Sequence, residues 1–166
     1  MRLIPRFGPG NAQKGKQATS KLSWEVLKSN KKDHVTLEHI LPQAPSAPYW
    51  KDRFGYLNDD QQRFLTHSLG NLLPLSRSKN SSLQNDAFTL KVNNGEGVGY
   101  YNGSVSENEV AQYSEWTPTA VFERGLGLLS FMEKRWEIQL GDDEFKAKLL
   151  HLNNVVFIKQ GLVNEA

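Results

Sequence analysis

Glu38-His39-Ile40-Leu41-Pro42-Gln43, Gly70-Asn71-Leu72 and Lys79-Asn80 hold the side chains of this chain best suited to hydrolytic chemistry. A neutral imidazole at His39 can take a proton from water near pH 7, because the ordinary histidine pKa lies close to that pH. The carboxylate of Glu38 and the amide oxygen of Asn80 make a hard, oxygen-only pair suited to Mg²⁺ or Mn²⁺, with waters and phosphate oxygens completing the shell. Together these groups meet the needs of phosphodiester hydrolysis: a deprotonated water, a cation on the phosphate, and help for the departing 3′ oxygen. Adjacent residues can fill two roles because strand side chains alternate between faces.

Local patterning places these pieces on definite elements. His34-Val35-Thr36-Leu37 alternates as a half-buried strand does, so Glu38 and His39 fall at a strand end, and Pro42 directs the chain away from the sheet. Gln43 to Pro48 reads as loop, and Asp59 to His67 as a helix with Phe64 and Leu65 inward. Leu69 to Leu75 is a second run of strand length. Ser76 or Ser78 then caps a helix carrying Leu83, Ala87 and Leu90 at i, i+4, i+7. After Val92 the chain is turn-rich. Thr117-Pro118 opens a long helix to about residue 140, with Val121, Leu128, Leu129, Met132 and Trp136 on one face. Between Glu144 and Val163 lie an amphipathic stretch through Leu149 and Leu152 and a strand-like Val155-Val156-Phe157-Ile158.

The remaining features set limits. With 166 residues the chain holds one domain, expected over 21–166, behind a flexible basic arm over 1–20. Its zero cysteines exclude disulfides, thiolate nucleophiles and Cys-based zinc sites. A zinc site from His34, His39, His67 and His151 matches no known spacing. The net charge of +2 divides into eight Lys or Arg against Glu25 and Asp33 over residues 1–35 (+6), and twelve against sixteen over the rest (−4). A basic leader can attract a polyanion but is equally common as a solvated tail. No apolar run suits a bilayer or a secretory signal, so a cytoplasmic location without membrane contact is expected. Arg77 and Lys79 flank a helix start and are candidate phosphate contacts, with Lys91 a weaker one.

The order Glu-His-x-x-Pro, loop, Asn, and a second Asn nine residues on, set on strand, strand and helix, resembles the HNH or His-Me finger nucleases. The resemblance is closest to the C-terminal domain of GmrSD-type modification-dependent restriction endonucleases. It rests on Glu38 to Gln43, Leu69 to Leu72, Asn80 to Lys91 and the tryptophan-led helix from Trp116 to Trp136, covering roughly residues 24–140. The same order also resembles the HNH domain of RNA-guided CRISPR nucleases, where only the cutting module is shared.

The resemblance implies an α+β fold with a ββα-metal core surrounded by helices and a C-terminal helical extension. It also implies divalent-metal-dependent DNA cleavage in bacterial restriction of foreign DNA. Asn71, matching the motif's middle Asn, is grouped with His39 as catalytic, in the sense of holding the His39 loop in place. Glu38 stands where many HNH sites carry Asp. The partner implied is DNA, together with an N-terminal nucleotide-binding sensor domain or subunit, since in relatives DNA recognition and nucleotide control lie there. Asp59-Asp60-Gln61-Gln62-Arg63 is similar to a DGQQR signature of that domain, but it lacks the Gly and reads as coincidence. The alternative is a nucleic-acid-binding or regulatory module that keeps the fold without cutting.

Overall fold

The computed structural model describes residues 34–95 and 98–153. The expected arm over 1–20 and the strand-like 155–158 lie outside these. The architecture is mixed α and β, mostly helical around a small two-stranded sheet, consistent with the expected α+β class.

Strand β1 (Val35–His39) pairs antiparallel with β2 (Leu72–Ser76), Val35 opposite Ser76 and His39 opposite Leu72. The pleat separates Leu37, which is exposed, from Glu38, which is buried. Before the strands meet again the chain forms α1 (Pro48–Phe54) and α2 (Asp59–His67). Helix α2 follows the expected limits because Asn58 and Gln61 form a reciprocal capping box. Its inward residue is Leu65; Phe64, expected beside it, is largely exposed.

Leu69–Asn71 forms a 3₁₀ turn rather than the start of the second strand. Packing dictates this turn. A Cβ on Gly70 would lie 1.9 Å from the Val121 carbonyl oxygen and 2.9 Å from the Gly125 nitrogen, so only glycine lets the turn sit against the long helix α6 (Pro118–Trp136). Thr117 caps α6, as its sequence indicates. The buried stripe runs through Val121, Phe122, Gly125 and Leu129, whereas Trp136 is exposed at its end.

Helix α3 (Arg77–Leu83) follows β2 directly, with the Ser76 hydroxyl accepting from the Lys79 N–H. The single helix expected to reach Leu90 is broken into α3 and α4 (Phe88–Val92) at Gln84, whose φ is 33°. Asn85-Asp86, next in the chain, are weak helix formers whose side chains compete for the backbone. The break leaves Leu90 exposed and turns Phe88 and Lys91 inward. Helices α5 (Val105–Val110) and α7 (Asp143–Leu149) complete the described order, α5 arising in a stretch that reads as turns until Ser104 and Glu107 form a capping box. The core gathers Trp50, Phe54, Leu65, Leu73, Leu75 and Trp116 behind the sheet.

Gly70→Ala should destabilise the domain by about 1–3 kcal/mol, the usual cost of overpacking, read as a lower urea midpoint. An unchanged midpoint would show that the turn does not press on α6.

Candidate active site

His39 ends β1, and its ring opens into a cavity of about 480 Å³ that Glu38, Gln43, Arg77 and Asn80 also line. The end of β1 and the first turn of α3 (Arg77–Leu83) bring residues 38, 39, 77 and 80 to this one wall. Asn80 is held from behind: its Nδ2 donates to Thr36 Oγ1 at 2.9 Å. The amide oxygen is therefore the atom left for the cavity.

The His39 ring is half-buried and has two notable neighbours. Gln43 Nε2 lies 3.2 Å from Nδ1 and 3.4 Å from Nε2, and the His67 ring stands edge-on with centroids 5.2 Å apart. Burial lowers the His39 pKa, and the charges of His67 and Lys91 lower it further. Each cause disfavours imidazolium, so the ring is kept in the form that accepts a proton.

Glu38 is anchored more firmly than an exposed carboxylate would be. Its Oε1 accepts from Lys91 Nζ at 2.6 Å and from the Tyr100 hydroxyl at 3.2 Å. Burial pushes the Glu38 carboxyl up and the Lys91 ammonium down, and each shift is opposed by the charge of the other. Lys91 also donates to the carbonyls of His39 at 3.3 Å and Ile40 at 3.2 Å. All three of its protons are thus placed on the segment that carries the site.

The three expected phosphate contacts have different surroundings. Lys91 is fully buried, so it cannot meet DNA. Lys79 directs its ammonium to Glu107 rather than to solvent. Arg77 is exposed and lines the cavity.

Asn71 is a positioning residue and not a catalytic one, because it is wholly buried and every side-chain bond it makes is to protein. Its Oδ1 accepts from the Leu41 N–H at 2.8 Å and Trp116 Nε1 at 3.0 Å, while Nδ2 donates to the carbonyls of Leu41 at 3.0 Å and Thr66 at 2.8 Å. Arg124 supports the same turn by donating to the carbonyls of Gly70 at 2.7 Å and Leu72 at 2.9 Å. Sequence reasoning missed the polar roles of Trp116, Arg124 and Tyr100. A tryptophan before a capped helix marks packing, and nothing local tells that its N–H reaches an amide forty-five positions away.

Among the described residues no three His, Cys, Asp or Glu side chains come together as a metal site. Glu38 and Asn80, whose side chains carry hard oxygen donors, both line the cavity, a pair that fits a hard divalent ion keeping several waters. No helix among the described residues is long and apolar enough to cross a membrane.

Asn71→Ala should cost about 2 kcal/mol or more, since it strands a buried N–H of Leu41 and the indole of Trp116. Thermal or urea unfolding measures it, and a loss within error of zero would refute the buried hub.

Comparison with known proteins places the chain in a family. The model of the GmrSD restriction endonucleases, C-terminal domain, matches residues 11–131. No curated protein and no solved structure matches the chain. A match over most of the length means that the chain belongs to the family of GmrSD restriction endonuclease C-terminal domains.

Proposed function

We propose that this domain is an HNH-type endonuclease that hydrolyses DNA phosphodiester bonds with His39 as general base and Mg²⁺ or Mn²⁺ as cofactor. The observation that carries the reading is the convergence of an imidazole biased toward neutrality, a carboxylate, an amide oxygen and an exposed guanidinium on one cavity wall. The strand, strand, helix order of β1, β2 and α3 supports a ββα-metal core.

His39 accepts the proton of a water placed in line with the scissile phosphorus. Arg77 draws the phosphate to the wall and neutralises part of its charge. Thr36 holds Asn80 so that its oxygen points to the cavity, and Lys91 and Tyr100 hold the Glu38 carboxylate at its edge. When bound by these oxygens, the cation supplies charge stabilisation at the phosphate and the departing 3′ oxygen. Family membership supports a setting in restriction of foreign DNA, with recognition and nucleotide control supplied by an N-terminal sensor domain or subunit.

Supercoiled plasmid should be nicked or linearised with Mg²⁺ or Mn²⁺ and left intact in EDTA. His39→Ala should cut about 10²-fold more slowly or worse while unfolding at the parent's midpoint. Equal cutting by that variant would remove His39 from the role of base.

Since the lowered His39 pKa keeps the base neutral to more acidic pH, the acid limb of cleavage should have its midpoint below the ordinary histidine value of 6.5. A midpoint above that value in a pH–rate profile would contradict the assignment.

Arg77→Ala should weaken DNA binding and reduce its salt slope by about 1. Lys79→Ala should leave the slope unchanged, because its charge already faces Glu107.

A further inference from the structure

The cavity wall has an unusual charge balance for a cation site. Glu38 is its single carboxylate, and the other lining side chains are amides, hydroxyls, apolar groups, the His39 imidazole and the cationic Arg77. That carboxylate is matched at 2.6 Å by Lys91, which is fully buried and tied as well to the carbonyls of His39 and Ile40. Lys91 cannot swing aside without abandoning three bonds at once. Asp86 also acts on Lys91 but does not line the cavity. The lining charges therefore sum to about zero, Glu38 against Arg77, and behind the wall the Lys91 ammonium is set against both Glu38 and Asp86.

Hard divalent ions are retained in proportion to the carboxylate charge around them. A wall with no net negative charge offers two oxygen donors and no electrostatic well. A DNA phosphate entering beside Arg77 supplies both the missing charge and further oxygens.

We propose that Lys91, by neutralising Glu38 in the cavity wall, leaves the free domain without a cation site of its own, so that the divalent ion and the DNA phosphate bind together and each recruits the other. Lys91 is then a positioning residue that makes metal loading conditional on substrate. This inference rests on the metal-dependent nuclease reading above.

The test follows free Mn²⁺ by electron paramagnetic resonance, independently of cleavage. The DNA-free wild-type chain should show no saturable site up to about 1 mM, the weak end of protein cation sites. With a short duplex and the non-cutting His39→Ala chain, Mn²⁺ affinity should rise at least tenfold above that of protein alone, after subtraction of ions bound by duplex alone. Duplex affinity should rise by the same factor when Mn²⁺ is added, because coupling is reciprocal.

Lys91→Met keeps the length and removes the charge; it should tighten Mn²⁺ binding to the DNA-free chain at least tenfold, and adding Glu38→Gln should abolish the gain. Unchanged affinity in a folded Lys91→Met protein overturns the role given to Lys91. Should that variant fail to fold, the wild-type and His39→Ala measurements decide alone. A saturable site on the DNA-free wild type with Kd on the order of 10 μM, or no mutual tightening with duplex, overturns the proposal. Either result leaves the nuclease reading standing, whereas plasmid cleavage that persists in EDTA sinks the reading itself.

Discussion

A fully buried asparagine with every side-chain hydrogen bond satisfied holds this domain's site in register. Asn71 bonds both the N–H and the carbonyl of Leu41, two residues past His39, and joins them to Thr66 at the end of α2 and to the indole of Trp116 ahead of α6. Its own carbonyl accepts from the Ile40 N–H at 3.0 Å, which extends the strand pairing one step beyond His39. A buried amide is costly unless all its partners are present, and that cost is what makes it selective: few other paths of residues 39–43 would satisfy the four side-chain bonds. Gly70 and Arg124 press the same turn onto α6 from the other side. His39 lines its cavity, yet its backbone is set by the most fully bonded part of the core.

The second constraint is electrostatic. Lys91 binds the two carbonyls that follow Glu38 and the Glu38 carboxylate itself, so one buried ammonium sets both the direction of that side chain and the course of the chain beyond it. Buried ion pairs contribute little net stability when compared with apolar packing, and removing one partner is what costs. The pair is better understood as specifying geometry. Tyr100, raised well above its ordinary pKa by burial and by Glu38, stays a hydroxyl and can only serve the carboxylate as donor.

Much of this was legible in the residues and some was not, for identifiable reasons. The strand ending at His39, the helix from Asp59 to His67, the capped helices at Ser76 and Thr117, and the placing of Asn80 on the helix after β2 all follow from local rules of alternation and capping. Lys91, expected as a weaker phosphate contact, lies beyond the break at Gln84, whose positive φ no periodic pattern announces, and its ammonium is turned inward onto Glu38. Lys79 was misread for a different reason, since its partner Glu107 lies twenty-eight positions away on an element whose capping box is the only local sign of order. The Asn71 hub was anticipated in kind, as a residue that holds the His39 loop, but its partners are distant in sequence and no periodicity announces them.

The division between what was legible and what was not mirrors a division of labour within the site. Residues that face the cavity, His39, Asn80 and Arg77, sit at strand ends and helix starts, where element boundaries expose side chains and where sequence signals are strongest. Residues that aim them, Asn71, Lys91, Arg124 and Trp116, are buried polar groups within apolar surroundings, where composition alone would predict hydrophobic contacts. A polar group in such a place is retained by the partners it satisfies and not by its local pattern. Substitution at the cavity face should therefore change chemistry at nearly constant stability, while substitution in the buried set moves both together, because the same hydrogen bonds that fold the turn also place the imidazole.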